Sequence, residues 1–332
     1  MPETFQAIQA IQHEDTVDIQ MRTITKDDLS AGNVVVNVAF STINYKDGLA
    51  LKGNKAKVMR RFPMIPGIDF SGTVAESNDP NFRTGDEVIL TGWGVGEFHT
   101  GGLSQVARVK GAWLVKKPTE LSLMDSMAIG TAGLTSMLCL LTLENHDVFP
   151  TTGPILVTGS SGGVGSISVA LLSNLGYEVE ALTRRPEMHS YLQTLGASAV
   201  LSPDQLEEPG KIMASERWSG VIDTVGGNIL SQVIPSVKYW GCIASCGNTA
   251  GITFSSYVLP FILRGITLSG IESNYCPIQT RKNAWNRISE NFPKKLLPLI
   301  TTEVKLEDVF DVATAILSGN IQGRTVVNTH TL

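Results

Sequence analysis

Thr158-Gly159-Ser160-Ser161-Gly162-Gly163-Val164-Gly165 stands between an apolar run at 154–158 and a helical pattern at 165–175. The run Pro-Ile-Leu-Val-Thr reads as a buried strand, and Ala and Leu recur at packing intervals in the segment that follows. A glycine-rich turn in that setting has a physical use. Glycines permit the tight turn and the close approach of backbone N–H groups to a pyrophosphate. The helix N-terminus adds unpaired donors and a partial positive charge. Ser160 and Ser161 supply hydroxyls beside them. The spacing is Gly-x-x-Gly-x-x-Gly rather than GxGxxG, and the plain alternative is a packed turn without a ligand. The strand–helix alternation around the turn favours the nucleotide.

Working outward, the chain downstream keeps alternating. Strands are expected at 178–183, 220–223, 241–245 and 266–270, and a helix at 188–195. A helix at 281–292 and a helix–strand pair within 306–327 close the chain. Such alternation marks a parallel, doubly wound α/β sheet. Upstream the pattern differs. Short β runs at 34–40, 69–75, 87–90 and 105–109 are separated by turns such as Gly85-Asp86 and by a loop crowded with Gly92, Gly94, Gly96, Gly101 and Gly102. This predicts a β-rich unit over 1–125, a partly closed barrel rather than a parallel sheet. After Pro118 a helix is expected to start near 122–125 and to run through Leu143.

The second strand of the α/β region ends in Thr183-Arg184-Arg185, eighteen residues after Gly165. An NAD-selective fold places Asp or Glu there for the ribose hydroxyls. Two guanidinium groups instead suit a 2′-phosphate, so NADP(H) is the expected cofactor; the alternative is two solvated arginines. Of two other readings of the glycine turn, the hydrolase fits less well and the short-chain dehydrogenase fails. Around Ser161 the pattern G-x-S-x-G matches a hydrolase nucleophile elbow, but the downstream acid and histidine, Asp223 and His330, include a histidine in the C-terminal tail. The short-chain dehydrogenase fingerprint would need a Tyr-x-x-x-Lys dyad, and no later tyrosine has Lys four residues on.

Composition narrows the class further. The 332 residues predict two domains, and 42% hydrophobic residues supply large cores. With 26 basic and 31 acidic residues the net charge is −5, so nucleic acid is not an expected partner. Two uncharged stretches, 126–143 and 148–177, are interrupted by Gly130 and Gly133 and by Gly153-Pro154 and the glycine turn; both read as buried core, with no membrane association. No secretory leader is readable at Met1-Pro2-Glu3-Thr4-Phe5. Cys139, Cys242, Cys246 and Cys276 form no CxxC pair, which suits free thiols in a reducing cytoplasm and gives no metal site.

Several segments carry a more specific resemblance: Asn44-Tyr45-Lys46-Asp47, Phe62-Pro63-Met64-Ile65-Pro66-Gly67-Ile68-Asp69-Phe70, Thr91-Gly92-Trp93-Gly94-Val95-Gly96, Gly130-Thr131-Ala132-Gly133, Asp223-Thr224-Val225-Gly226-Gly227, Pro260-Phe261-Ile262-Leu263-Arg264 and Ile321-Gln322-Gly323-Arg324-Thr325. Over its full length the chain resembles zinc-free medium-chain dehydrogenases/reductases of the quinone oxidoreductase type, in the branch with the NADPH-dependent acryloyl-CoA reductases. The resemblance implies a GroES-like catalytic domain over 1–125, a Rossmann-type NADP-binding domain over 126–275, and a return to the catalytic domain over 276–332. The catalytic-zinc Cys and His of the zinc alcohol dehydrogenases would fall near Asn44-Tyr45 and Gly67-Ile68-Asp69, where this chain has neither, and the four-cysteine loop of their structural zinc is missing.

The resemblance also implies roles. Tyr45 contacts cofactor and substrate, as a catalytic residue with Asn44 as a neighbouring donor; the plain alternative for Tyr45 is an aromatic packing residue in a loop. Asp69 holds its loop. Ser161, Gly162, Gly163 and Val164 take the pyrophosphate, and Thr183, Arg184 and Arg185 the adenosine phosphate end. Asn248 edges a ribose, Ile262 and Ser273 flank the nicotinamide, and Arg324 reaches the cleft, unless it is a surface ion pair. The strand at 266–271 pairs with its copy in a homodimer. The implied reaction is hydride addition to the C=C of an α,β-unsaturated carbonyl, with acryloyl-CoA the preferred substrate. A quinone or small enone is the enzymatic alternative, and a non-catalytic NADPH-binding protein the rival from another class. For a CoA thioester, Lys52, Lys55, Lys57, Arg60 and Arg61 form a candidate basic strip.

Overall fold

All four residues of the strand Ile155–Thr158 are buried, as an apolar run covered on both faces requires. The computed structural model describes residues 3–331 and places that strand inside a six-stranded sheet. From edge to edge the strands are Ala199–Leu201, Val179–Leu182, Ile155–Thr158, Trp218–Asp223, Val237–Ser245 and Thr267–Gly270, and every neighbouring pair is parallel. In chain order this is 3-2-1-4-5-6, the doubly wound order, with its reversal between the first and fourth strands. Leu156, Val221 and Ile243 from the sheet share one buried cluster with Leu230 and Val233 from the helix Gly227–Val233. Each such side chain removed from water contributes about 1.5–3 kcal/mol. The unit comprises Ala132–Ser273 with Glu290–Leu296.

The other compact unit holds the described residues up to Thr131, Asn274–Ser289 and those from Leu297 on. It opens with an antiparallel hairpin, Thr4–His13 with Thr16–Thr25. A seven-stranded sheet follows, with Val34–Thr42 at its centre. Asp69–Ser77 lies along one edge of that strand. Along the other, Val106–Val109 pairs with its first half and Arg324–Asn328 with its last residues. Glu87–Thr91, Val115–Lys116 and Thr301–Lys305 complete the sheet, and only the pair Thr301–Lys305 and Arg324–Asn328 is parallel. Val34, Val36 and Val38 point to one face and pack with Phe70, Val74, Val88 and Leu90, the alternation a half-buried strand dictates.

The expected changes of domain at 125 and 275 stand beside unit boundaries at Thr131/Ala132 and Ser273/Asn274. The long helix Leu123–Glu144 could by length and composition cross a membrane, but 83% of its most apolar window is buried in the protein. At Gly130 its backbone turns to φ 50°, ψ −151°, a conformation essentially confined to glycine, so the uncharged stretch is interrupted there but not at Gly133. Two elements depart from the sequence reading. The first hairpin was not separated from the general β-rich pattern, and Tyr45 opens a short helix, Tyr45–Leu51, instead of lying in a loop.

Candidate active site

Asn44 is the N-cap of the helix Tyr45–Leu51, and Asp47 is its third residue. Asp47 Oδ2 accepts the Asn44 N–H at 2.9 Å and the Asn44 side-chain amide at 3.2 Å; its Oδ1 accepts the Ile68 N–H at 3.0 Å. The helix can sit close to Val309–Leu317 because Gly48 has no side chain: a Cβ there would lie 2.7 Å from Ile316 Cγ2. Asp69, at the start of its strand, gathers the rest of the network. It accepts from the Thr42 hydroxyl, from the Asn44 amide at 3.3 Å and from the Thr131 N–H at 2.9 Å. Beneath them lies Arg324, only 3% exposed. Its Nη1 donates to Asn44 Oδ1 at 2.9 Å, its Nη2 to Thr42 at 3.1 Å and its Nε to the Ala128 carbonyl at 3.2 Å. The nearest Asp69 oxygen is 4.0 Å from Nη2.

Electrostatics follow from this burial. Desolvation, reinforced by the Asp69 charge, pushes the Asp47 carboxyl up to about 7, against the N–H donors of Asn44 and Ile68 that favour its ionised form. Desolvation lowers the Arg324 guanidinium from its usual range, while Asp69 and Asp47 hold it up. Gly130 completes the packing: a Cβ there would meet Arg324 Nη2 at 2.8 Å and Asp69 Oδ2 at 2.9 Å. The network fixes Asn44 from both ends of its amide. It leaves Tyr45, the next residue, 38% exposed, with no protein partner for its hydroxyl among the described residues. Arg324 is thus no surface ion pair; within this unit it orients Asn44.

In the parallel-sheet unit the glycine turn is built for close approach. Gly159 adopts φ +59°, which glycine reaches without steric cost. Gly165 has an ordinary backbone, yet a Cβ on it would lie 2.4 Å from the Gly159 carbonyl oxygen and 2.6 Å from Ser160 Cα. The first helical hydrogen bond after the turn is Ser166 N–H to the Gly162 carbonyl, so the N–H groups of Gly163, Val164 and Gly165 precede the ladder. Ser160 is consumed by structure, its hydroxyl donating to Val157 and Leu182 carbonyls at 2.6 and 3.1 Å. Ser161 Oγ lies 3.4 Å from Thr183 Oγ1, a hydroxyl and no histidine. His330, the other residue the hydrolase reading needs, has its Nε2 2.9 Å from the Val38 carbonyl. The turn fits a pyrophosphate, and no nucleophile elbow is assembled.

Thr183 is buried, and its hydroxyl accepts the Arg185 N–H at 3.2 Å. Arg184 is exposed, whereas Arg185 Nε donates to Glu187 at 3.0 Å. At the reversal of strand order, Thr158 donates to Asp223 Oδ1 at 2.8 Å; Asp223 also takes the Ser245 hydroxyl at 2.9 Å and the Gly226 N–H. This crosslink ties together the C-terminal ends of three strands, where ligands bind in open α/β sheets. Asn248 is exposed in the loop after Val237–Ser245. Ile262 is 69% exposed on the helix Leu259–Arg264, whose Arg264 is buried against the Pro235 and Val237 carbonyls. Ser273 is half-buried and accepts the Thr135 hydroxyl at 3.0 Å. Among the described residues no group of three or more His, Cys, Asp or Glu is placed to hold a metal ion.

The sequence alone does not single out Asp47, Thr42 or Thr158 as members of these sites, and it offers Asp223 only as a hydrolase acid. The spacing Asn44-x-x-Asp47 is a helix-start signal that could have found Asp47; Thr42 meets Asp69 and Arg324, and Thr158 meets Asp223, only across 27, 282 and 65 positions of chain.

Residues 163–290 match the family profile described as zinc-binding dehydrogenase, and residues 30–119 that of the alcohol dehydrogenase GroES-like domain. The acrylyl-CoA reductase AcuI of Ruegeria pomeroyi is 44% identical over 309 residues, 93% of each chain. The crystal structure of Escherichia coli K-12 YhdH with bound NADPH is similar with a TM-score of 0.94 and 46% identity, covering 97% of this chain and 99% of that one. The crystal structure of Bacillus subtilis YhfP with NAD bound has a TM-score of 0.95 and 42% identity, covering 99% and 100%. The chain belongs to the medium-chain dehydrogenase/reductase family, in the branch of the acrylyl-CoA reductases and quinone oxidoreductases.

Proposed function

We propose that this protein is a cytoplasmic, NADPH-dependent reductase of α,β-unsaturated carbonyl compounds whose reaction is acryloyl-CoA to propanoyl-CoA. The observation that carries the reading is the buried Asp47–Asn44–Arg324 network, which fixes the start of the helix from which the exposed Tyr45 phenol is open to a substrate carbonyl, in a chain 44% identical to an acrylyl-CoA reductase. Four free cysteines suit the reducing compartment.

NADPH, when bound, supplies the hydride for the β-carbon of the substrate. The chain's own residues do the rest. The N–H groups around Gly162, Gly163 and Val164, with Ser161, hold the pyrophosphate at the positive end of the helix Gly163–Asn174. Thr183 and the guanidinium groups of Arg184 and Arg185 hold the 2′-phosphate. Arg184 is ready for it; Arg185 must exchange Glu187 for it. Asn248, Ile262 and Ser273 border the ribose and nicotinamide. Tyr45 Oη hydrogen-bonds the carbonyl oxygen on which negative charge develops, the Asn44 amide joining it only by exchanging one of its acceptors Thr42, Asp47 or Asp69, and Tyr45 Oη or a water delivers the proton to the α-carbon. Residues 1–125 and 276–332 serve catalysis and 126–275 the cofactor, and Thr267–Gly270, an edge strand, pairs with its copy in a homodimer.

The test follows NADPH and NADH oxidation by absorbance, with acryloyl-CoA and a simple quinone in parallel, in the wild type and in Arg184→Ala/Arg185→Ala. The expected outcome is fast turnover of the thioester with NADPH, and a tenfold or larger fall in the NADPH/NADH preference in the variant. Turnover of the quinone alone would replace the substrate; an unaltered preference would remove the phosphate assignment from the two arginines.

A further inference from the structure

Lys52, Lys55, Lys57, Arg60 and Arg61 are five of the chain's 26 basic residues, crowded into ten positions without an acid, in a chain of net charge −5. All five are exposed, and none is in an ion pair among the described residues. The loop that carries them is tied down. Asn54 is buried and brackets Met59, donating to its carbonyl and accepting its N–H, both at 2.8 Å. Glu97 then fixes where the strip returns: its carbonyl accepts the Arg60 N–H at 2.8 Å, and its carboxylate pairs with Lys46, the neighbour of Tyr45, at 3.0 Å. That acid is therefore already occupied and does not cancel the strip.

Beside Glu97 are two large exposed rings. A Cβ on Gly94 would lie 2.9 Å from Tyr275 Oη and 3.4 Å from Phe98 Cδ2, so rings from distant segments converge over one glycine. Tyr275 stands edge-on to Trp93 at 6.4 Å; Trp93 stacks on Trp113 at 6.5 Å and carries the Arg281 guanidinium 5.1 Å from its ring centre. Anchored, exposed aromatic faces next to uncommitted cations are the combination that takes a phosphorylated nucleotide: the base stacks, and the phosphates meet Lys and Arg. The helix Tyr45–Leu51 carries the chain about 10 Å from Tyr45 before the strip begins. The strip thus starts at a remove from the Tyr45 hydroxyl that suits the nucleotide end of a long thioester.

We infer that the 52–61 strip, with Phe98 and Tyr275, is the subsite for the phosphorylated adenosine end of an acyl-CoA substrate. The inference rests on the thioester reading proposed above and adds where the non-reacting end of that substrate is held. It is tested by comparing kcat/KM for acryloyl-CoA and for acryloyl-pantetheine, which has the same reacting end and no nucleotide, with NADPH saturating. In the wild type acryloyl-CoA is expected to be favoured at least tenfold, through KM, and the advantage to shrink with added salt. In Arg60→Ala/Arg61→Ala, and separately in Phe98→Ala, that ratio is expected to fall severalfold to tenfold. A ratio near one in the wild type, or a ratio unaltered in both variants, would overturn the subsite while leaving the reaction in place. Reduction of a quinone with neither thioester accepted would overturn the thioester reading and the subsite with it.

Discussion

A single carboxyl, Asp47, joins the helix that begins at Tyr45 to the strand that begins at Asp69, and burial holds it near 7 against an ordinary 3.8. Because the folded value is the higher one, the folded chain keeps a proton that the unfolded chain has released between these limits. The stability this site contributes is therefore full below about 3.8 and is lost as pH rises through about 7. Asp47→Asn removes the titration. Its melting temperature relative to the wild type is expected to improve as pH rises from 5 to 8, measured by thermal unfolding at several pH values; a difference that does not vary with pH would refute the assignment. The carboxylate's importance was hard to see in the sequence because one of its partners, Ile68, is 21 residues away. Arg324 is named as a site residue only through the resemblance, because nothing local to Gly323-Arg324-Thr325 announces burial and its partner Asn44 is 280 positions distant. The glycines of the turn, by contrast, are recognised by local backbone needs, and local needs are what a sequence displays.

The glycine turn and its helix illustrate the same contrast between elements. Pro154 to Gly165 announces strand, turn and helix because every signal lies within a dozen residues, and the helix Gly163–Asn174 duly follows the strand Ile155–Thr158. Gly165→Ala should separate helix from turn, since its Cβ has backbone on two sides within 2.6 Å and neither can rotate away. NADPH affinity is expected to fall tenfold or more, about 1.4 kcal/mol, read by fluorescence titration; an affinity within twofold of the wild type would contradict the cradle. The hairpin Thr4–Thr25 shows what stays hidden. Its two-residue turn is Glu14-Asp15, with Glu14 at φ +49°, and lacks the glycine or asparagine that marks such turns. The helix Tyr45–Leu51 has seven residues with a glycine in the middle, too short for periodicity to speak.

At the scale of the molecule, the parallel sheet ends in Thr267–Gly270, whose outer backbone groups face no strand among the described residues. If two copies join there, Ser269→Lys sets like charges together along the edge and is expected to lower the mass found by sedimentation equilibrium from two chains to one; a wild-type mass of one chain would dismiss the homodimer. Arg324–Asn328 lies between Val34–Thr42 and Thr301–Lys305, so the sheet begun at Val34 receives an inner strand from residues made after the whole parallel sheet. The parallel sheet, continuous from Ile155 to Gly270, can form while that strand is still being synthesised. Vectorial synthesis thus supplies every strand of the parallel sheet before Arg324, the guanidinium that orients Asn44, is made. A nascent chain cut short of residue 324 would carry its glycine turn but leave Asn44 without the guanidinium that orients it.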